Sequence, residues 1–307
     1  MRMELARRSP PAFVGRAPEI EDLVRAFLQK RSRLTRRVYE TDLRDFAAFL
    51  GEPSPTRAMD RLIQGGPAQA NWLVLQYRQD MTARGLSSAT RNRRLSTIRS
   101  ALKLGRTLGL LTWTVEIEGE KIQPYRDTSG PGEGAYRKML DAANVRDRAI
   151  LRLLHDLGLR RGEVVELDLE HVDLEKGKLS ILGKGRTERE FLTIPGPTVE
   201  ALEAWIAERG EEPGPLFQAR AKPWTGHRLT GEAVRLIVAA SAKRAGIGHV
   251  RPHGLRHTGI TTALERTNGN ISKVARYSRH ASIETVKRYD DNRRDVAGEV
   301  AALVASA

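Results

Sequence analysis

Six side chains between positions 160 and 289 are of the types that together could move a phosphoryl group. They are Arg160 in GLRRGEVVEL, Lys184 in LGKGRTER, His253 and Arg256 in HGLRHT, His280 in SRHAS and Tyr289 in VKRYDD. A phosphodiester attacked at phosphorus passes through a trigonal-bipyramidal state with added negative charge on its non-bridging oxygens. Guanidinium groups suit that state because they are planar, always charged and able to place two donors on two oxygens. Arg160 and Arg256 are therefore assigned to a phosphate clamp. Tyr289 would be the nucleophile; a phenol with a free pKa of about 10 needs neighbouring cations or a base to lose its proton at neutral pH. His253 is assigned as that base, and Lys184 as the general acid for the departing oxygen. His280 would hydrogen-bond the phosphate and hold Tyr289, with Glu163 and His257 as supports. Each residue also has a plain structural reading. Arg160 could pair with Glu163 or Asp156 at a helix end, the histidines could be caps or core residues, and Tyr289 could be a half-buried aromatic. Gly183-Lys184-Gly185 could be an exposed turn, with Arg186 or Arg189 taking the role of Lys184.

Order and spacing weigh against those plain readings. The chain resembles the tyrosine recombinase, or phage integrase, family. That family's pattern is an Arg-x-x-Glu helix, a lysine in a Gly-Lys-Gly hairpin, a His-x-Leu-Arg-His segment, and a histidine nine residues before a tyrosine. Arg160 with Glu163, Lys184, His253 to His257, and the pair His280 and Tyr289 follow it in order. The stretch SSATRNRRLSTIRSALKLGRTLGLL is similar to the last helices of the family's core-binding domain. The resemblance thus covers nearly the whole chain except about its first 16 residues, and the layout is closest to Xer-like members without an arm-binding domain. It implies a 3′-phosphotyrosyl link that preserves bond energy for rejoining, with no ATP, cofactor or metal. It also implies a C-shaped clamp on double-stranded DNA and a homotetramer or heterotetramer on synapsed sites. Arg279 stands where the family usually has glycine, and ASIETVKRYD keeps Thr285 but lacks the common paired threonines.

The elements that must position these residues are legible as periodicities. Ile20, Leu23, Val24, Phe27 and Leu28, and then Tyr39, Leu43, Phe46 and Leu50, repeat at helical spacing. Further helices are expected over 71–84 and 89–104, the latter with a serine cap after the Gly85 break. On this last helix Leu95, Ile98 and Leu102 form the apolar stripe. Arg91, Arg94, Arg99, Lys103 and Arg106 are the candidate DNA contacts, in a stretch from 81 to 115 with seven basic and no acidic residues. Residues 114–134, rich in Pro, Gly and polar residues, read as a linker. The second domain is expected to open with a helix from Arg146. Strands follow at 178–182 and 190–194, joined by a hairpin turn, then helices near 197–208, 230–244, 254–265 and 271–277. A terminal segment from Arg294 to Val304 carries Val296, Val300, Leu303 and Val304 on one face, a surface for a neighbouring protomer or for its own domain.

The expected fold is mainly α. Residues 1–16 are an extension, 17–113 a helical, SAM-like core-binding domain, 114–134 the linker, and 135–307 an α+β catalytic domain with a small antiparallel sheet. The net charge of +14 fits a polyanionic partner, because residues 1–110 carry 21 basic and 10 acidic side chains. No apolar run approaches the roughly 18 residues of a membrane span, no secretory signal is evident, and there is no cysteine. A cytoplasmic, nucleoid-associated protein without a membrane partner is expected. Two rival readings remain at this level: a type IB topoisomerase-like activity using the same chemistry, and a catalytically silent DNA-binding protein.

Overall fold

The computed structural model describes residues 17–30, 33–120, 130–183, 186–220, 222–280, 282–287, 289 and 296–306. The chain divides into two compact units, Met1–Gln123 and Pro124–Ala307. Its architecture is mainly helical with one small antiparallel sheet.

The N-terminal unit contains α1 (Ile20–Gln29), α2 (Arg33–Leu50), α3 (Pro55–Gln64), α4 (Gly66–Ala83) and α5 (Ser88–Thr107). Their starts follow from local chemistry. Ser54 and Ser87 cap α3 and α5 by accepting from the N–H groups of Arg57 and Thr90, both at 3.3 Å. Pro67 lies in the first turn of α4, where its missing N–H costs nothing, so α4 begins five residues before the expected Asn71. The helices enclose Phe27, Leu43, Phe46, Met59, Leu62, Tyr77, Leu95, Ile98 and Leu102.

A charged layer locks this core from the side. Asp42, 2% exposed, accepts from Arg93 and from Thr97 Oγ1 (3.0 Å), and Arg94 Nε lies 3.7 Å from its other oxygen. Asp45 accepts from Tyr77 Oη and Arg84 Nη2, each at 2.7 Å, and from Arg94. Removing one partner from such a buried set leaves uncompensated charge. Asp42→Ala is therefore expected to lower unfolding free energy by about 3 kcal/mol, read by urea denaturation, and a loss under about 1 kcal/mol would show the set to be dispensable.

Residues 114–120, within the expected linker, form a strap held on the N-terminal unit, and the two units divide after Gln123. Val115 is buried in its core, and Asn92 grips Glu120 by both backbone groups, donating to its carbonyl (2.7 Å) and accepting from its N–H (2.8 Å). Arg91 pairs with the Glu120 carboxylate, and Arg99 donates to the Ile117 carbonyl at 2.9 Å. Three of the five candidate DNA contacts are thus engaged internally: Arg91 and Arg99 by the strap, Arg94 by Asp42 and Asp45. Only Lys103 and Arg106 of that set project from α5 as exposed side chains.

The C-terminal unit contains α6 (Glu133–Asp141), α7 (Val145–Asp156), α8 (Arg161–Val165), β1 (Val172–Asp173), β2 (Lys178–Leu182) and β3 (Arg189–Thr193), followed by α9 (Gly196–Arg209), α10 (Gly231–Arg244), α11 (Pro252–Arg266), α12 (Ile271–Ser278), α13 (Ile283–Lys287) and α14 (Val296–Ala305). The sheet is antiparallel in the order β1-β2-β3, with Ser180 opposite Phe191 and Leu182 opposite Arg189. Leu179 and Ile181 enter the core while Phe191 is 75% exposed, the alternation of a one-sided sheet. α7 is the central helix, with Ala149, Ile150, Leu151, Leu153 and Leu154 inaccessible to solvent. α11 crosses close to it: a Cβ at Gly259 would lie 2.4 Å from the His155 carbonyl oxygen, so only glycine fits. A smaller core of Ile260, Leu264, Val274, Val286 and Tyr289 holds α12 and α13 on α11. No described helix is long and apolar enough to cross a membrane. On α14 Val304 is 72% exposed; the side chains of Val296, Val300 and Leu303 lie outside the described residues, as do residues 1–16 and Arg294.

Candidate active site

The loop after α7 places the first arginine. Gly158 turns the chain at φ +54°, and Arg160 is the N-cap of α8. Glu163, three residues on, closes this helix start: its Oε2 accepts from the Arg160 backbone N–H and its Oε1 from Arg160 Nη1, both at 2.8 Å. The Arg-x-x-Glu spacing is thus a helix cap whose carboxylate also orients a guanidinium. Burial pushes the Glu163 carboxyl up, but the Arg160 backbone N–H and the Arg279 and Arg160 guanidiniums outweigh it and hold the group below the usual carboxylate range.

Arg256 comes from α11 and is 1% exposed. Nη1 donates to the Gly158 carbonyl and Nη2 to the Ser278 carbonyl; Nη2 also lies 3.3 Å from His280 Nε2. Burial, then the neighbouring Arg160 and Arg279, lower it to about 10, so it stays charged at neutral pH. A guanidinium has no lone pair to offer, so His280 Nε2 must be the acceptor. The remaining proton sits on Nδ1, which donates to Ser278 Oγ at 2.8 Å. The neutral imidazole agrees with a pKa pushed down to about 4 by burial and then by Arg256, Arg160, His253 and Arg279.

Tyr289 is 7% exposed, with its ring against three imidazoles: centroids of His257, His280 and His253 lie 4.9, 5.4 and 6.3 Å away. Aliphatic residues of the smaller core hold it on the other side. His257 is buried, with Nδ1 3.3 Å from Thr261 Oγ1. His253, in the first turn of α11, is exposed to solvent, yet its pKa is lowered by the protein around its ring and then by Arg256, His257 and Arg160. Arg160, His253 and Arg256 line a groove of about 390 Å³ together with Arg161, Arg235 and Arg251, and no acidic residue is in its wall. Its wall carries positive charge and is complementary to an anion.

The structure therefore brings Arg160, His253, Arg256, His280 and Tyr289 together, with Glu163 and His257 beside them. Lys184 lies outside the described residues; β2 and β3, which flank it, are in place, and Glu190 of β3 reaches Arg279. Sequence reasoning gave no role to Arg161, Arg235 or Arg251 of the groove, nor to the Arg279 side chain. Among the described residues, one group has metal-ligand chemistry, Asp168 with Glu170 and His171. Its atoms are already engaged: Asp168 Oδ1 accepts from Arg228, and His171 Nδ1 accepts from the Asp168 N–H at 2.8 Å.

The His280 environment has a sign that can be checked. A folded-state pKa near 4, below the unfolded value of about 6.5, means the unfolded chain binds more protons between these values. The stability contributed by neutral His280 is present above the upper value and lost as pH falls toward the lower. The urea midpoint should drop between pH 7.5 and pH 5 by more in the wild type than in His280→Gln. Equal drops would contradict the assignment; His253 and His171, also lowered, and the lowered carboxyls of Glu133, Asp156 and Glu163 contribute to the drop that remains in the variant.

Residues 133–295 match the family model described as the phage integrase family. A curated tyrosine recombinase of Synechococcus elongatus is 39% identical over 283 residues, 88% of this chain and 88% of that protein. One of Synechocystis is 36% identical over 298 residues, covering 93% and 94%. The tyrosine recombinase XerC of Escherichia coli is 30% identical over 242 residues, 72% of this chain and 79% of XerC. Among solved structures, XerH site-specific recombinase bound to palindromic difH substrate superposes with a TM-score of 0.66 at 17% identity, over 92% of this chain and 84% of that one. A lambda integrase dimer bound to a COC′ core site gives 0.64 at 14%, over 89% and 77%. These two share the fold described above.

Proposed function

The chain belongs to the phage integrase family of tyrosine recombinases, and on that premise we propose that it cuts and rejoins duplex DNA at a specific site through a covalent link to Tyr289. The observation that carries this reading is the Tyr289 ring packed among three histidines beside the Arg256–His280 pair.

Arg160 and Arg256 bind the non-bridging oxygens of the scissile phosphate. Both are pre-set, one by Glu163 and the other by two backbone carbonyls, so little reorganisation is needed as charge grows. Tyr289 Oη attacks phosphorus, its proton passes to neutral His253, and the bond to the 5′ oxygen breaks. Lys184 protonates that oxygen. The product is a 3′-phosphotyrosine and a free 5′ hydroxyl; attack by a 5′ hydroxyl from another strand reverses the step and releases Tyr289. The phosphate bond energy is kept, so neither ATP nor a metal is consumed. His280 holds Arg256, and through it the phosphate, while His257 supports the tyrosine ring. Lys103 and Arg106 on α5 contact DNA phosphates. The enzyme acts as a tetramer on paired sites in the cytoplasm, with an Xer-like layout.

The test is capture of SDS-stable protein–DNA complexes from fragments of the source genome, followed by sequencing of the attached DNA. Enrichment of one short sequence is expected. Complexes scattered over all sequences, with relaxation of any supercoiled plasmid, would indicate a topoisomerase-like enzyme; absence of complexes would leave a DNA-binding protein.

A further inference from the structure

α12 ends in a left-handed residue, the conformation in which glycine is the default, and the residue there is Arg279 at φ +54°. A side chain kept in that conformation has a reason to be there, and its contacts supply one. The Arg279 side chain is 5% exposed. Nη2 donates to Glu163 Oε2 at 2.9 Å and to the Gly158 carbonyl at 3.1 Å, and Nη1 donates to the Leu157 carbonyl at 3.0 Å. Nε faces Glu190 Oε1 of β3 at 3.4 Å, and each of these two atoms is buried without a hydrogen-bond partner of its own.

Two of these acceptors are shared. Glu163 also holds Arg160, one oxygen serving each guanidinium, and the Gly158 carbonyl also holds Arg256. A single planar fork therefore reaches the groups that orient both candidate phosphate-binding arginines. A lysine could not do this, because one ammonium on a flexible stem cannot bond a carboxylate and two carbonyls in a fixed geometry.

We propose that Arg279 is a positioning residue that sets the separation of Arg160 and Arg256, the first through Glu163 and the second through the Gly158 carbonyl. The proposal rests on the reading that these two arginines bind the scissile phosphate. A residue that merely ended α12 would be replaced by glycine at no loss, since glycine suits the backbone better.

The test compares wild type, Arg279→Gly and Arg279→Lys on a nicked duplex of the captured site, measuring single-turnover cleavage, DNA affinity and thermal unfolding. Arg279→Gly should cleave roughly 10- to 100-fold more slowly, while its DNA dissociation constant stays within about threefold of wild type. Combined with Glu163→Gln, its effect should be markedly less than multiplicative, because both changes cut the same link. Cleavage by Arg279→Gly at the wild-type rate, or a rate loss matched by an equal loss of affinity, overturns the proposal. If Arg279→Gly does not unfold cooperatively, Arg279→Lys decides: a rate about tenfold below wild type is expected, and the wild-type rate overturns it. A wild type that forms no covalent complex sinks the proposed function itself, before any variant is compared.

Discussion

Tyr289→Phe should lose DNA cleavage by at least about 1,000-fold while still folding and still binding DNA. The substitution removes one oxygen and keeps the ring. That ring is held by Ile260, Leu264, Val274 and Val286 on one side and by the imidazoles of His253, His257 and His280 on the other, and none of these contacts needs the hydroxyl. The thermal midpoint should therefore move by no more than about 2 °C. The three histidines and Arg256 would be left without a nucleophile to activate. Cleavage by Tyr289→Phe within about tenfold of wild type would mean that another side chain attacks the phosphate.

Arg256→Lys should reduce cleavage by on the order of 100- to 1000-fold, and unlike the tyrosine change it should also weaken the fold. Arg256 is 1% exposed and joins Gly158, Ser278 and His280. Gly158 keeps a second donor in Arg279, but the Ser278 carbonyl has no such reserve among the contacts described, and an unmet buried carbonyl costs about 2 kcal/mol. Arg160→Lys supplies the contrast. Its side chain is 31% exposed and its main partner is Glu163, so a lysine there should lose a similar factor in rate with stability changed by about 0.5 kcal/mol or less. Single-turnover cleavage and urea denaturation on the two variants check the pair. Equal stability losses would show that the difference in burial does not matter.

What was legible in the sequence is what short-range spacing controls. Glu163 three residues after Arg160 is a helix start, and α9 to α12 lie within two residues of their expected ends because caps and apolar periodicity mark them, whereas the short α13 was not foreseen. The alternation of β2 and the Gly-rich turn after it gave the hairpin. α3 escaped notice although Ala58, Met59, Leu62 and Ile63 stand at helical spacing and Ser54 before Pro55 was a usable signal; a ten-residue helix flanked by Pro and Gly is easily taken for a loop. The strap at 114–120 could not be read, since short extended chain beside a Pro- and Gly-rich stretch looks like any linker until Asn92 and Arg99 are known to grip it. The same blindness hid the internal partners of Arg91, Arg94 and Arg99. A basic stripe on one helix looks alike whether it meets phosphate or the carboxylates of Asp42, Asp45 and Glu120, which lie 29 or more residues in sequence from the Arg91 and Arg94 they hold. Arg279 was visible only as a departure from an expected glycine; its contacts with Glu163 and Gly158 depend on how α12 packs on the loop after α7.

The central claim is a covalent bond between Tyr289 and DNA. The most direct measurement is mass spectrometry of the covalent complex after nuclease and trypsin digestion. The account predicts that the peptide Tyr289–Arg293 carries a nucleotide joined through its 3′ phosphate to the tyrosine oxygen. A nucleotide on any other peptide, or one joined through a 5′ phosphate, would contradict it.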